Sequence, residues 1–132
     1  NEKAFERIEH TAQFQGGHNA FLNFLMEKIS FQKIVTHLKQ NERIYPDTAR
    51  IKFIISKKGI MSNLSVVQTR KDIFQDEITN VIKQSSCYWL PGTNGGRLNN
   101  SWVQLDIYYF IDRSQGGITV SVKYKSYDFV TK

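Results

Sequence analysis

The sequence is short of cysteine and proline, with one cysteine and two prolines in 132 residues. The single Cys87 cannot form a disulfide within the chain, which excludes a disulfide framework and a cysteine-based zinc site. No apolar run approaches the ~18–20 residues that a transmembrane helix needs. There is also no basic start followed by an apolar stretch, so the sequence shows no signal peptide. Because the chain begins at Asn1 without methionine, a leader or an anchor could already have been removed.

The low proline and modest glycine content argues against a long flexible linker inside the chain. The length suits one domain, and 40% hydrophobic with 23% charged residues is a globular composition. We therefore expect an N-terminal segment over residues 1–17 and a single domain over residues 18–132. The formal net charge of +6 permits nucleic acid, an anionic membrane or an acidic protein as a partner, but it does not select among them.

Apolar residues at helical spacing predict two helices. The first covers residues 18–30, and a second apolar set at residues 34–38 either continues it or starts a short helix of its own. The other helix covers residues 73–86, and Asp72 with Gln75 before its apolar face has the spacing of a capping box. The apolar face of this helix consists of Phe74, Ile78, Val81 and Ile82.

Alternating apolar and polar residues predict strands in the rest of the chain. Four strands are expected, over residues 49–56, 61–69, 102–111 and 118–131. Pro46 interrupts the pattern before the first strand, residues 57–59 form a hairpin turn, and residues 126–128 could bend the last strand. Since strands joined by short turns pair antiparallel, the element order predicts an α+β two-layer sandwich. The sheet would have three to four antiparallel strands, with two helices on one face.

Catalytic and metal-binding patterns are missing from the sequence. The histidines are not spaced as metal ligands, and no glycine-rich phosphate loop is present. Asp76 and Glu77 near a helix start are interpreted as charges that offset the helix dipole. Cys87 follows the end of a helix, where the dipole disfavours a thiolate, so we expect a core or half-buried thiol rather than a nucleophile. We therefore expect no enzymatic activity, no cofactor and no metal.

Basic residues concentrate in and just after the first predicted hairpin, with no acidic residue between Arg50 and Lys71. They are Lys52, Lys57, Lys58, Arg70 and Lys71. Proteins that bind single-stranded nucleic acid combine such charge with aromatic rings on an open sheet face. Here Phe53 alternates with Ile51 and Ile55 and is expected in the core. We therefore expect neither a nucleic-acid partner nor contact of this domain with a membrane.

Three segments occur in an order and at distances that resemble the TonB C-terminal domain family, in the form abundant in Bacteroidetes. They are Glu9 to Leu25 around Gln13-Phe14-Gln15-Gly16-Gly17, Ile51 to Val67, and Trp89 to Phe110 beginning Trp89-Leu90-Pro91-Gly92. The resemblance covers residues 9–111, and no single motif is specific. Its motif residues also have structural roles in turns or in the seam between sheet and helices. They are Gly16, Gly17, Trp89, Pro91, Gly92 and Gly95. The family's prolines are absent at Gln15 and Gln32.

The resemblance implies a periplasmic, non-enzymatic domain that binds a segment of an outer-membrane receptor by adding it as a strand beside the last strand of the family. Such β-augmentation needs an open sheet edge. In this sequence a further strand follows after a short turn, and we expect it to pair with residues 102–111 and to occupy that edge. The expected binding residues lie on the last two strands. They are Gln104, Asp106, Tyr108, Phe110, Ser121 and Lys123.

Other functions stay open on the sequence. The domain could instead belong to a sensor, or form an accessory domain or a stand-alone lipoprotein, whose self-capped edge binds no receptor peptide. A membrane helix and a Pro/Lys-rich linker in the full-length gene product would favour a transducer of TonB type, whereas a signal peptide alone would favour a stand-alone protein. Exposed strand edges also allow a homodimer formed by strand exchange.

Overall fold

The computed structural model describes residues 11–67, 69–114 and 117–128. The helices are α1 (His18–Lys28), α2 (Phe31–Thr36) and α3 (Asp72–Gln84), and a 3₁₀ turn follows over Ser86–Tyr88. The long strands are β2 (Ile44–Ile55), β3 (Met61–Val67), β7 (Ser101–Asp112) and β8 (Gly117–Asp128). The two-residue strands are β1 (Gln13–Phe14), β4 (Trp89–Leu90), β5 (Thr93–Asn94) and β6 (Arg97–Leu98).

The long strands form one antiparallel sheet in the order β3-β2-β7-β8. The three helices pack on one face of this sheet, so the predicted α+β two-layer architecture is confirmed. The third helix is the short α2, because the apolar set at residues 34–38 begins a new helix rather than extending α1. Ser30 starts that helix as its N-cap, and its hydroxyl accepts from the backbone N–H of Lys33.

Alternation along the two central strands places the core between the sheet and the helices. On β2 and β7 the helix-facing side chains are buried, whereas the alternate residues of β7 are half-buried or exposed on the opposite, helix-free face. Phe53 is fully buried, as the sequence predicts. The predicted apolar face of α3 is buried as well. Truncating one such aromatic residue to alanine costs ~3–5 kcal/mol in a well-packed core.

Trp89 fills the seam between the helices and the sheet, as expected. Its side chain is buried, its ring contacts Phe21 and Phe53 edge-on, and its indole Nε1–H donates to Ser85 Oγ at 3.0 Å. The indole N–H would be costly to bury without a partner, and Ser85 supplies one within the same seam. Trp89 therefore joins the end of α3, α1 and the middle of the sheet.

The glycine turns follow the sequence prediction. Gly16 and Gly17 turn the chain into α1 with φ of +92° and +90°. Gly95 and Gly96, both with positive φ, close the two-residue hairpin between β5 and β6. Pro91 and Gly92 lie between β4 and β5, where the chain leaves one short strand for the next.

Two sequence predictions about element starts were wrong. Strand β2 begins at Ile44 and includes Pro46, because residues 44–49 pair only with β7, so the missing proline N–H leaves no inter-strand bond unmade. Asp72 and Gln75 form no capping box, since Lys71 is the N-cap of α3 and makes no side-chain capping bond. The amide Oε1 of Gln75 instead accepts from the hydroxyl of Thr69 at 3.3 Å.

Glu77 is also placed differently from the prediction. It is buried on the inner side of α3, where its carboxylate accepts from the backbone N–H of Ser30 at 2.6 Å. The ammonium of Lys33 lies 3.8 Å from the other carboxylate oxygen. Glu77 therefore joins α3 to the start of α2, whereas its neighbour Asp76 is exposed.

Some predictions fall on residues that lie outside the described ones. These are the N-terminal segment before residue 11, which includes Glu9 of the resemblance, and the end of the last predicted strand beyond residue 128. Within the described part, β8 continues to Asp128, so the bend expected at residues 126–128 is not found. At the end of β3, Val67 is 45% exposed.

Candidate binding edge of the sheet

Strand backbone in three places has no partner strand among the described residues. These places are the outer side of β3, residues 44–49 of β2 beyond the reach of β3, and the outer side of β8. An unpaired strand edge is a template for pairing with another chain unless it is short, bent or covered. The three places differ in each of these respects.

Residues 44–49 of β2 are covered by the chain that leads into α3. The buried carboxylate of Asp47 accepts two contacts from the backbone N–H of Arg70, at 2.9 and 3.0 Å, and one from the backbone N–H of Thr48 at 2.7 Å. The Arg70 guanidinium donates to the carbonyl oxygen of Pro46 at 2.8 Å. The Thr48 N–H and the Pro46 carbonyl oxygen are thereby occupied, so an added strand could not bond to them.

Tyr45 completes that cover from the core side. Its hydroxyl donates to the Asp47 carboxylate, and the Arg70 guanidinium lies 4.9 Å from the centre of its ring. Burial raises the pKa of the Tyr45 hydroxyl well above its usual range, and the bond to Asp47 adds to the shift. The buried carboxylate is therefore surrounded by donors, which is the condition for burying such a group at low cost.

The outer edge of β3 is short and bent. The register with β2 shifts between Lys52 and Ile54, so that two residues of β3 lie opposite one residue of β2. Asn63, one of the two, has a φ of 56°, which asparagine tolerates better than most residues. A bulge of this kind twists an edge strand and disfavours pairing with another chain.

Strand β8 is a long and regular edge. It pairs with β7 over twelve consecutive residues, from Gly117 opposite Asp112 to Asp128 opposite Ser101, without a register shift. The predicted pairing of the last strand with residues 102–111 is thereby confirmed. Among the described residues, no backbone hydrogen bond reaches the outer side of β8. Of the three places, β8 is the one that offers a continuous template.

The structure places the predicted binding residues in two groups. Gln104, Asp106, Tyr108 and Phe110 lie on β7, which pairs with β2 on one side and with β8 on the other, as expected from the predicted hairpin. Their side chains lie on the helix-free face, in register with β8. Ser121 and Lys123 lie on the edge strand itself and are exposed. Tyr108 is opposite Ser121 and Asp106 is opposite Lys123, so the two groups meet on one face.

On the helix side of β8 lie two mainly apolar cavities, which together we call the apolar groove. One cavity, of about 110 Å³, lies between α1 and the middle of β8, and the Tyr124 ring stacks on Trp89 beside it with ring centres 6.4 Å apart. It is lined by Gln13, Phe14, Gly17, His18, Phe21, Trp89, Leu105, Val122 and Tyr124. A second cavity, of about 250 Å³, lies at the start of β8 and is lined by Val35, Ile111, Asp112, Arg113, Gly117 and Ile118.

Sequence reasoning missed this groove. The alternation of Ile118, Val120, Val122 and Tyr124 was visible, but it predicts only that these residues face the helices. Tyr124 remains 37% exposed and Val120 half-buried, because the helices cover the edge strand only in part. Burial still raises the pKa of the Tyr124 hydroxyl, and a hydrogen bond with Thr11 acts in the opposite direction. The width of the helix layer relative to the sheet decides this exposure, and no local pattern encodes it.

On the helix-free side, β8 is basic. The Lys123 ammonium lies 5.7 Å from the centre of the Tyr108 ring, and Lys125 is exposed two residues further along. Asp106, which is opposite Lys123, is already bonded by the guanidinium of Arg50 at 2.9 and 3.3 Å. No ion pair among the described residues involves Lys123 or Lys125. Positive charge is therefore available along the outer half of this face.

Cys87 is exposed, so its expected burial was wrong. It lies in the 3₁₀ turn after α3, and Trp89, two residues further along the chain, takes the buried position in the seam. In the part of the chain that the structure describes, no group of three or more histidine, cysteine or acidic residues could hold a metal ion. None of the helices described is both long and apolar enough to cross a membrane.

Comparisons of this chain with protein-family models, with characterised proteins and with solved structures found no match.

Proposed function

We propose that this chain is a non-enzymatic protein-interaction domain that binds an extended segment of a partner protein by adding it as a strand to the outer side of β8. The observation that carries the proposal is the unbroken twelve-residue edge of β8, beside two other stretches of edge that are covered or bent. Main-chain hydrogen bonds would supply affinity, and pockets for alternate side chains would supply specificity.

The TonB C-terminal resemblance gives this proposal a biological setting. It favours a periplasmic domain that engages a TonB-dependent outer-membrane receptor. Fold alone does not fix function, so the setting belongs to the proposal. The proposed edge also differs from the one that the resemblance implies, because the segment would pair with β8 rather than with β7.

A second function is favoured by the same hairpin. Since β8 pairs with β7 along its whole length, the edge at which the resemblance places a receptor segment is occupied by the chain itself. A tethered strand competes at high effective concentration against a free peptide. The domain would then serve as a sensor or accessory domain, or as a stand-alone lipoprotein, without binding a receptor peptide.

Backbone N-methylation of a bound peptide distinguishes the two functions. In an added strand the N–H groups of alternate residues point toward the protein, and the others point to solvent. We expect a peptide from the plug domain of a TonB-dependent outer-membrane receptor to lose affinity when one alternate set of its N–H groups is methylated. It should keep most of its affinity when the other set is methylated. Isothermal titration calorimetry measures the affinity of both methylated peptides. Equal loss from the two sets would exclude strand addition, and an absence of binding by all plug peptides would favour the second function.

A further inference from the structure

We infer that the segment added to β8 is a strand with one acidic and one apolar face. Its acidic residues would lie opposite Lys123 and Lys125, and its apolar residues would lie opposite the helix-facing residues of β8. This inference rests on the proposed function, because it specifies the side chains of the strand that β8 would receive. It follows from the two faces of the edge, which differ in chemistry.

The helix side of β8 selects apolar side chains. Neighbouring residues on adjacent strands share a face, so residues opposite Ile118, Val120 and Val122 would point toward the helices. Ile118 lines the cavity of about 250 Å³ beside α2, and Val122 lines the cavity of about 110 Å³ beside α1. The two positions are four residues apart, or roughly 13 Å along a strand. An apolar cavity of ~150 Å³ can hold a benzene-sized group, so the larger cavity has room for an aromatic or long aliphatic side chain and the smaller one for a smaller aliphatic side chain.

The helix-free side selects acidic side chains at one end of the segment. Residues opposite Lys123 and Lys125 would lie next to two ammonium groups that have no carboxylate partner among the described residues. The nearest candidate, Asp106, is held by Arg50 instead. Opposite charges directly across a strand pair are stabilising, and like charges are destabilising. Residues opposite Thr119 and Ser121 meet no such charge and can be polar.

A second copy of this chain suits the edge less well. If two β8 strands paired antiparallel with Lys123 near the centre, the ammonium groups of the two copies would lie close together. The same charge disfavours a basic segment from any partner. Charge complementarity therefore selects an acidic extended peptide as the occupant of the edge.

Synthetic eight-residue peptides test this inference directly. The acidic peptide carries aspartate or glutamate at the two positions opposite Lys123 and Lys125, apolar residues at the four positions opposite Ile118, Val120, Val122 and Tyr124, and threonine elsewhere. The basic peptide replaces only the acids with lysine, and each peptide is made in both chain directions. By fluorescence anisotropy we expect the acidic peptide to bind about tenfold more tightly, with a difference that shrinks as salt is added.

Charge reversal in the protein provides the matched control. The double variant Lys123→Glu and Lys125→Glu should reverse the preference between the two peptides. The double variant Lys57→Glu and Lys58→Glu makes the same change of net charge in the exposed turn between β2 and β3, and it should leave the preference unchanged. Circular dichroism and thermal unfolding of both variants show whether they remain folded. If one variant does not fold, the relative affinity of the unmodified protein for the acidic and basic peptides still tests the inference.

The outcomes separate the inference from the proposed function. Equal binding of acidic and basic peptides would overturn the inference and leave strand addition intact, provided that receptor plug peptides bind with the N-methylation pattern described above. Failure of the designed peptides and of the plug peptides together would overturn both. A dimer in sedimentation analysis that the acidic peptide does not dissociate would make a second copy the occupant. A single-stranded oligonucleotide that displaces the acidic peptide would point to nucleic acid and overturn the inference.

Discussion

At the scale of single residues, the glycine pair before α1 shows how conformation and space act separately. Gly16 and Gly17 both have φ near +90°, in the region that side chains rarely adopt. A Cβ at Gly16 would lie 2.8 Å from the Cβ of Ala20, whereas a Cβ at Gly17 would meet no atom within 4 Å. The two positions share the backbone strain and differ in the clash.

We therefore expect Gly16→Ala to lower the free energy of unfolding more than Gly17→Ala. Each substitution carries backbone strain of roughly 1–3 kcal/mol, and Gly16→Ala adds a steric cost against α1. Urea denaturation of both variants measures the difference. Equal losses would show that the turn relaxes away from Ala20.

Two buried tyrosines form a second contrast at this scale. The Tyr45 hydroxyl donates to Asp47, whereas the Tyr109 hydroxyl is buried without a partner among the described residues. We expect Tyr45→Phe to cost about 1.5–3 kcal/mol, because a hydrogen bond to a charged group is lost. Tyr109→Phe should be close to neutral or stabilising, since it removes an unsatisfied hydroxyl and keeps the ring contact with Phe74. A loss from Tyr109→Phe as large as that from Tyr45→Phe would contradict this account.

At the scale of elements, the sequence predicts the long helices and strands because their apolar residues recur at clear periods. Phe74, Ile78 and Val81 mark the buried face of α3 without ambiguity. The same spacing could have identified Glu77 as buried, since it lies three residues after Phe74 and four before Val81. The first half of β2 was missed because its inward residues include Asp47, which breaks apolar alternation, and because Pro46 is a usual strand breaker.

The binding edge was predicted in part. The hairpin of β7 and β8 followed from two alternating runs and a short turn, and the exposed positions of Ser121 and Lys123 followed from that alternation. The bulge at Asn63 and the cover of β2 by Arg70 depend on register and on contacts between residues far apart in the chain. Local patterns do not contain that information, so the choice of β8 over the other edges needed the structure.

At the scale of the whole molecule, the raised pKa values of buried tyrosines make the free energy of unfolding vary with pH in the alkaline range. Burial is the leading cause of the raised pKa for both Tyr45 and Tyr109. An unfolded chain ionises its tyrosines near pH 10, whereas these two stay protonated in the folded chain. The unfolded state therefore binds fewer protons above pH 10, and folding stability must fall as the pH rises.

We expect the contribution of these two tyrosines to the free energy of unfolding to be constant below pH ~9 and to fall above pH 10. The two groups together give a slope of up to about 2.7 kcal/mol per pH unit. Urea denaturation between pH 8 and pH 11.5 measures the slope, and the double variant Tyr45→Phe and Tyr109→Phe should show a shallower one. The same slope in both proteins would mean that the two hydroxyls ionise as they do in the unfolded chain.

The whole sheet serves the proposed function through the contrast between its edges. β3 and the start of β2 are bent or covered, and β8 is left regular with an apolar groove on one side and lysines on the other. The central claim is that this outer side of β8 receives an added strand.

Amide hydrogen exchange of residues 117–128, measured by NMR with and without the acidic peptide, tests that claim most directly. In the free protein we expect alternate amides of β8 to be protected by β7 and the others to exchange freely. With the peptide bound, the freely exchanging set should become protected, while the edge amides of β3 stay unchanged. Protection that appears on β3, or that appears nowhere on β8 when the peptide is bound, would contradict strand addition at this edge.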